Sequence, residues 1–437
     1  MRSLFLIIFS ILLASADTYS QSCDCYITVD STFKVVPMVL GTDTGGPPDY
    51  RCSNCSSQAI KLPFKFCFYG KMYDTVYINN KGNLSFVNPV FTFSSKGLPA
   101  GNDTLMLDGF WADVDNIPAP LSDIYYKITP THMIVQWNNV GYNAFDDDLY
   151  DDIQITITNG ADSILPPGNN VSYCYWLMRW ATDGGFGDAT ARVGVNKGDN
   201  VHYAQFGTFC LPGTKYYGPF DTNSGLYWLD NKSFTFNTCV TGNNIPPVIL
   251  NPGICDTVTV CAGDSMTFAA SFLCPQQSQT ATVSASSPGL SGFTTSTSNV
   301  NSLYTISCKI VAAIKDTGSY TVNITATDNG SPALTNSVPF TVIIKACDSV
   351  SGINEVKLNK GFAVYPNPNN GTFIIQSSLI GNGPLAEVYN LLGEKIYSQL
   401  YTNYPFSIDL SSQSKGLYFI KLFNEGMLVG IEKVVIQ

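Results

Sequence analysis

Short runs in which polar and apolar residues alternate recur along this chain, and they constrain its fold more than any other feature. Examples are residues 73–78, 132–137 and 152–158. Because successive side chains of a β-strand point to opposite faces, this two-residue period predicts strands with one buried face. Asn and Gly tolerate positive φ, so the turn at 79–83 predicts a hairpin whose second strand is 84–87.

Composition supports the same fold class. Aromatic residues make up 13% of the 437 residues, 36 are Gly, and only 5 of the 33 acidic residues are Glu, the better helix former of the two acids. The charged share of 13% is too low for a disordered chain or a coiled coil. The sequence therefore predicts an all-β protein of several β-sandwiches. The net charge of −10 argues against a nucleic-acid partner, which would need clustered Lys and Arg.

The N-terminus has the pattern of a secretory signal peptide over residues 1–16. Arg2 precedes a short apolar run, and residues 14–16 have the small-x-small form of a cleavage site. The run is too short to cross a bilayer, and no later stretch reaches about 18 apolar residues. We therefore expect an exported chain with no transmembrane segment.

All 13 cysteines follow this N-terminal segment, which predicts disulfides in an oxidising compartment. Because the number is odd, at least one thiol has no partner within the chain. The spacing of Cys23, Cys25, Cys52 and Cys55 also suits a zinc site, although an exported protein favours disulfides. The sequence leaves the pairing open.

Changes in composition divide the chain into segments. Pro246 and Pro247 mark one boundary, because two prolines continue neither a central strand nor a helix. Beyond them, runs at 320–327 and 338–344 flank a turn and predict one hairpin of a sandwich of about 100 residues. The predicted segments are the signal peptide 1–16, a Cys-rich segment 17–58, an aromatic-rich domain 59–240 with all five Trp, a second domain 246–347, a linker 348–360 and a small β domain 361–437.

Two of these domains resemble known extracellular modules. The first carries motifs at 62–70, 76–82, 110–115, 135–140, 166–171 and 193–198. On these residues it resembles the nidogen-like (NIDO) extracellular domain, in the form found in secreted Bacteroidetes proteins. The second carries Ala-Thr-Asp-Asn-Gly at 326–330 and resembles an Ig-like or cadherin-like sandwich without the full set of calcium-ligating cadherin motifs. The NIDO resemblance implies adhesion through an unknown extracellular protein or glycan ligand.

The C-terminal segment resembles the type A sorting domain of the type IX secretion system. The residues that carry the resemblance are Tyr365, Pro366, Asn367, Pro368, Gly371, Gly393 and Gly416. The resemblance implies that the type IX machinery is a partner and that the chain passes through the periplasm and across the outer membrane. It further implies removal of this domain, with the rest secreted or held at the cell surface.

An acidic loop at 146–152 holds five carboxylates and suggests calcium, which takes six to eight oxygen ligands. A solvated acidic loop is the alternative. The residues that would bind calcium are Asp146, Asp148 and Asp152, with Asp113 and Asp115 as further oxygen donors. We expect no other cofactor.

No motif indicates catalysis. The chain has no Gly-x-Ser-x-Gly or His-Glu-x-x-His sequence and only two histidines, so we expect a protein that is not an enzyme. An exposed Trp could stack on a sugar, although most of the five should be core residues. The alternative function is a carbohydrate-binding or degradative surface protein with an unrecognised active site.

A short pattern recurs seven times: Asp, then Ser or Thr, then an aliphatic residue, Met or Thr. It resembles the O-glycosylation motif of exported Bacteroidetes proteins, whereas a strand that begins Asp-Thr-Val is the plain alternative. The hydroxyl residues are Ser31, Thr75, Thr104, Ser163, Thr257, Ser265 and Ser349.

Overall fold

A computed structural model describes most of the chain after residue 24. The described residues are 25–42, 50–93, 98–99, 105–117, 123–142, 146–181, 191–209, 225–250, 257–276, 279–347, 362–376, 384–391, 393–402, 405–424 and 427–437. The expected signal peptide, Cys23 and the linker 348–360 lie outside them. The chain forms two compact units, 1–347 and 348–437.

The described residues form thirty strands and two short 3-10 helices, so the predicted all-β class is confirmed. No helix among them is long and apolar enough to cross a membrane. The strands of the first sandwich are β1 Lys34–Val35, β2 Met38–Thr42, β3 Asn54–Ser57, β4 Ile60–Phe68, β5 Lys71–Asn79, β6 Asn83–Ser85, β7 Met106–Trp111, β8 Val114–Asp115, β9 Asp123–Ile128, β10 His132–Tyr142, β11 Asp146–Thr158, β12 Val171–Tyr175, β13 Ala191–Asn196, β14 Tyr203–Phe209 and β15 Ser233–Phe236, with a 3-10 helix at Gly225–Leu229.

Two sheets build this sandwich. One has the order β1-β9-β10-β11-β12-β15, and the other has the order β14-β13-β7-β6-β5-β3-β2. Their apolar side chains form one aromatic-rich core that includes Phe66, Phe110, Trp137, Tyr173 and Trp180. The predicted hairpin is confirmed, because Asn79 pairs with Asn83 where β5 turns into β6.

The segment that precedes residue 59 pairs with this sandwich. Strand β1 pairs with β9, and β3 pairs with both β2 and β5. The side chain of Gln154 binds the backbone of Ile27 at both its N–H (3.3 Å) and its C=O (2.9 Å). A disulfide joins Cys25 to Cys174 on β12. The segment therefore contributes to both sheets: residues 25–35 lie on the sheet that contains β10–β12, and β2 and β3 extend the sheet that contains β5.

The second sandwich follows the two prolines. The predicted hairpin is confirmed as β22 and β23, which pair from Gly318↔Ile344 to Thr327↔Thr335. One sheet has the order β17-β23-β22-β19, and the other continues from the first sandwich as β16-β18-β21-β20. The strands are β16 Val248–Leu250, β17 Thr257–Cys261, β18 Ser265–Leu273, β19 Ala281–Ser286, β20 Phe293–Val300, β21 Leu303–Val311, β22 Gly318–Asp328 and β23 Thr335–Lys345, with a 3-10 helix at Ile314–Asp316.

Strand β16 belongs to both sandwiches. It pairs with β15 on one side and with β18 on the other. Val248 and Leu250 lie in the first core, whereas Ile249 lies in the second. The two-residue period of a strand therefore divides three consecutive side chains between two cores.

Three amide side chains strengthen this junction. Asn169 and Asn336 exchange hydrogen bonds of 3.1 and 2.8 Å. Asn244 Nδ2 donates to Asp328 Oδ1 at 3.0 Å, and Asp328 Oδ1 also accepts the backbone N–H groups of Gly330 and Leu334. The carboxylate of the 326–330 motif is therefore engaged by donors from the protein itself.

The C-terminal unit has its own core, which includes Phe373, Val388, Ile408, Ile420 and Val434. A three-stranded sheet has the order β24-β25-β28, and a four-stranded sheet has the order β27-β26-β29-β30. The strands are β24 Ala363–Tyr365, β25 Thr372–Gln376, β26 Leu385–Tyr389, β27 Lys395–Leu400, β28 Phe406–Asp409, β29 Gly416–Asn424 and β30 Met427–Ile436.

The prediction of disulfides is confirmed. The described pairs are Cys25–Cys174, Cys52–Cys55, Cys67–Cys239 and Cys261–Cys347. Three of the four cysteines considered for zinc, namely Cys25, Cys52 and Cys55, are thus oxidised. Cys274 and Cys308 are buried free thiols in the second sandwich.

Candidate functional site

The turn between β5 and β6 is buried. Lys81, at its centre, has no exposed surface. Gly82 adopts a φ of +78°, and a Cβ atom there would lie 2.0 Å from the carbonyl oxygen of Phe110. Only glycine fits this close approach. The turn is therefore packed against the end of β7, directly beside the Trp111–Asp115 segment.

Lys81 meets two carboxylates in this position. Its Nζ contacts Asp113 Oδ1 and donates to the carbonyl of Val114 at 3.1 Å. Burial lowers the pKa of Lys81, while the charges of Asp113 and Asp115 oppose that shift. Asp115 is buried too, and its burial raises the pKa of its carboxyl. A side-chain ammonium therefore balances the acidic residues at this point.

Neighbouring amides hold the same corner together. Asn116 Oδ1 accepts the backbone N–H of Cys52 at 2.9 Å and Asn80 Nδ2 at 3.3 Å. Asn80 Nδ2 also donates to the carbonyl of Cys52 at 2.8 Å. The short Cys52–Cys55 disulfide loop is thereby fixed beside the β5–β6 turn at residues 79–83, which we call the lysine turn.

The structure places the candidate calcium ligands in different surroundings. Asp113 and Asp115 lie beside Lys81, whereas Asp152 Oδ1 accepts the N–H of Asn139 at 2.9 Å and the hydroxyl of Tyr26 at 3.4 Å. The side chains of Asp146 and Asp148 lie outside the described part. Within that part, no group of three or more His, Cys, Asp or Glu residues is placed to hold a metal.

The expectation of an acidic loop is wrong. Residues 146–152 are the first half of strand β11, which pairs with β10 through Tyr142↔Asp146 and Val140↔Asp151. Asp151 is fully buried and accepts the backbone N–H groups of Arg179 and Trp180. Both donors from the following segment bind Oδ1, whereas the buried Oδ2 has no hydrogen-bond partner, and burial raises the pKa of Asp151.

One Trp is strongly exposed among those that the structure describes. Trp176 is 46% exposed, whereas Trp111, Trp137 and Trp180 are buried and Trp228 is partly buried. This distribution agrees with the expectation that most Trp residues are core. The ring of Tyr26 lies 5.9 Å from that of Trp176, at an interplanar angle of 32°. The Cys25–Cys174 disulfide holds Tyr26 beside this exposed ring.

A second exposed ring lies on the segment that precedes β15. Tyr227 is also 46% exposed, and the guanidinium of Arg179 is 5.3 Å from its ring centroid. Arg179 Nη1 donates to Asp230 Oδ2 at 2.7 Å. We call Tyr26, Trp176, Arg179, Tyr227 and Asp230 the aromatic surface. Among these residues the sequence drew attention only to Trp176, as one of five Trp residues of which most were expected in the core, and the position of Tyr26 next to Cys25 is the signal that could have added Tyr26.

The Asp-Ser/Thr sites differ in exposure. Ser31, Ser163, Thr257 and Ser265 are exposed, whereas Thr75 is half-buried in β5. Thr104 and Ser349 lie outside the described residues. Four hydroxyls are therefore accessible to a modifying enzyme in the folded chain.

The predicted sorting residues lie in three parts of the C-terminal unit, namely residues 365–371, Gly393 and Gly416. Asn367 exchanges hydrogen bonds with β30, donating to the carbonyl of Lys433 at 2.6 Å and accepting the N–H of Val435 at 2.9 Å. Gly371 has a φ of +108°, and a Cβ there would lie 2.5 Å from the Cα of Ser411. Tyr365 is exposed, Pro366 and Pro368 flank Asn367, and Gly393 and Gly416 lie in the turn before β27 and at the start of β29.

Two family models match parts of this chain. Residues 29–210 match the family model described as NIDO related, and residues 363–437 match the secretion system C-terminal sorting domain. Mouse (Mus musculus) alpha-tectorin is 25% identical over 189 residues, which covers 37% of this chain and 8% of that protein. Chicken (Gallus gallus) alpha-tectorin is 36% identical over 72 residues, or 16% of this chain and 3% of that protein. The chain thus spans less than a tenth of these relatives.

Two solved structures illustrate the structural likenesses. The dimeric latent PorU from Porphyromonas gingivalis has a TM-score of 0.20 and 15% identity, with 70% of this chain and 32% of that chain covered. The GspB Siglec domain has a TM-score of 0.18 and 13% identity, with 23% of this chain and 58% of that chain covered. From the two family matches, we conclude that this is a multidomain β-protein with a NIDO-related domain, exported by type IX secretion to the cell surface or the extracellular space through its C-terminal sorting domain.

Proposed function

We propose that this protein is a non-catalytic adhesion protein of the cell surface or extracellular space and that it contacts its ligand through the aromatic surface. The observation that carries the proposal is the exposed ring of Trp176, held beside Tyr26 by a disulfide. Trp, Tyr and Arg are the residues most enriched among those that dominate binding energy, and all three occur here.

The aromatic surface is organised before any ligand arrives. The Cys25–Cys174 disulfide fixes Tyr26, and the ion pair with Asp230 fixes Arg179. A rigid surface loses little side-chain entropy on binding, so more of the contact energy remains as affinity. This rigidity supports a binding role for the surface.

The surroundings of the two histidines support the absence of catalysis. His132 Nδ1 lies 2.6 Å from Asp162, which also binds the hydroxyl of Thr131. His202 Nδ1 lies 2.6 Å from Asp199, three residues before it. Each histidine therefore has a structural partner in one aspartate, and Asp162 at the same time holds the Thr131 hydroxyl.

A carbohydrate-binding or degradative surface protein is the second candidate. The exposed Trp176 ring favours a sugar ligand, because the apolar face of a pyranose packs well on an indole. The Arg179–Asp230 pair offers a donor and an acceptor for hydroxyl groups.

The test uses the full-length chain exported by its native host. Binding is measured to immobilised extracellular-matrix proteins and to a glycan array, for the wild type and for Trp176→Ala and Tyr227→Ala. We expect each variant to bind at least about 10-fold more weakly. Met72→Ala is the matched control, because Met72 is 63% exposed on β5 outside this surface.

Three results would contradict the proposal. The first is turnover of a polysaccharide or peptide by the purified wild type. The second is unchanged binding after the Trp176 substitution. The third is a protein that stays inside the cell, since export with removal of roughly the last 80 residues is expected.

A further inference from the structure

We propose that Lys81 and Asp113 become joined by an intramolecular isopeptide bond between Lys81 Nζ and Asp113 Cγ, with Asp115 as the group that carries the protons. The inference concerns the lysine turn and does not depend on the ligand proposed above. The reactants are the buried Lys81 ammonium and the Asp113 carboxylate, and Asp115 relays the protons.

The geometry brings the reacting groups into contact. Lys81 has no exposed surface, and its Nζ touches Asp113 Oδ1 while it donates to the carbonyl of Val114. Contact with one carboxylate oxygen places a nitrogen about 3–3.5 Å from the carboxyl carbon, the separation of a near-attack arrangement. The turn, closed by Gly82 against Phe110, leaves the ammonium little freedom to move away.

The surroundings favour condensation over a lasting ion pair. The Lys81 ammonium loses its hydration entirely and the Asp113 carboxylate, 22% exposed, loses most of its own; the mutual attraction of such a pair often fails to repay that cost. Condensation replaces two opposite charges with one neutral amide, so the cost of burying them disappears. The ring of Phe93, 5.8 Å from Nζ, makes a cation–π contact with the ammonium, which is a smaller gain than the several kcal/mol of hydration that burial removes.

The reaction balances without a cofactor. The Lys81 ammonium gives one proton to Asp115, and the amine then attacks Asp113 Cγ to form the C–N bond. The nitrogen loses a second proton as the C–O bond breaks, and these two protons leave with that oxygen as water. Overall, –NH₃⁺ and –COO⁻ give –NH–CO– and H₂O, and Asp115 ends unchanged.

The positions of the two carboxylates suit these roles. Asp115 is 2% exposed and directly follows Val114, whose carbonyl accepts a hydrogen bond from Lys81 Nζ, and Asp113 directly precedes Val114. Asp113 is 22% exposed, so the released water has a path to solvent. The bond would tie the β5–β6 turn to the segment between β7 and β8, 32 residues further along the chain.

The test is mass spectrometry of the denatured, reduced and digested chain. Trypsin should leave residue 81 uncleaved and join the peptide 72–96 to the peptide 97–127, with a mass one water, about 18 Da, below the sum of the two. Lys81→Arg and Asp113→Ala should remove this joined peptide, since arginine forms no amide here. Asp115→Asn should form it roughly 100-fold more slowly.

The wild-type result decides the proposal even where a variant fails to fold, because the digest reads the covalent state directly. Recovery of separate peptides 72–81 and 97–127 at full mass, with a free Lys81 amine, would overturn it. An equal rate of joining in Asp115→Asn would overturn the role of Asp115.

Discussion

The Cys67–Cys239 disulfide should contribute more to the stability of the first sandwich than any local contact. It closes a loop with a sequence separation of 172 residues, joining the end of β4 to the chain just after β15. In the chain-entropy description, closing a loop of that length stabilises the folded state by about 5 kcal/mol. Cys239→Ser isolates this effect, because Cys239 is exposed and its loss leaves no cavity, while Cys67 stays buried in place.

The assay is denaturant unfolding of the exported chain, followed by tryptophan fluorescence, since all five Trp belong to the first sandwich. We expect Cys239→Ser to lose most of the 5 kcal/mol and to melt roughly 10 °C or more below the wild type. Thr241→Ser, an exposed change two residues away, should stay within about 0.5 kcal/mol. A loss below about 1 kcal/mol would refute the loop-closure reasoning.

Three further predictions concern a buried carboxyl group, calcium binding and glycosylation. Burial raises the pKa of Asp108, which is fully buried with both carboxylate oxygens unpartnered, so its contribution to stability is present below the unfolded pKa of about 4 and is lost as pH rises. Asp108→Asn should therefore gain stability relative to the wild type between pH 3 and pH 8 in paired melting curves, and a constant difference would contradict this. Chelator should leave the melting temperature unchanged, because Lys81 already faces the Asp113–Asp115 pair; a fall restored by calcium would show that a site exists. Glycopeptide mapping of protein from its native host should find sugar on the exposed hydroxyls and none on half-buried Thr75, whereas bare peptides throughout would reject glycosylation; the exposed sites are Ser31, Ser163, Thr257 and Ser265.

The hairpins were predictable because their signals are local. The turn at 79–83 and the runs around 328–332 contain both the strand period and the turn residues within about fifteen positions, and both hairpins form. The burial of Lys81 was not predictable. It depends on the 113–116 segment folding over the turn, which is a contact between distant parts of the chain.

The prediction for the acidic residues 146–152 was wrong for a similar reason. Five carboxylates in seven residues suggested a loop that faces calcium or solvent, yet the run is a strand because it pairs with β10. The two backbone donors to Asp151 come from Arg179 and Trp180, nearly thirty residues later. A cluster of acidic residues in the sequence thus predicts solvent exposure only where no backbone N–H group from a distant part of the chain binds the carboxylates. The aromatic surface was missed for the same reason, since Tyr26 and Trp176 meet through a disulfide whose partners the sequence left open.

The sharing of β16 has a practical consequence for anyone who wishes to produce fragments of this protein. The two prolines at Pro246 and Pro247 make this position look like a domain boundary. A truncation there would remove Val248 and Leu250 from the core of the upstream fragment, and Ile249 would lie at the unpaired N-terminus of the downstream fragment. Each fragment would then present an unsatisfied sheet edge, the usual starting point of aggregation. Recombinant work on either half should therefore keep residues 25–347 together.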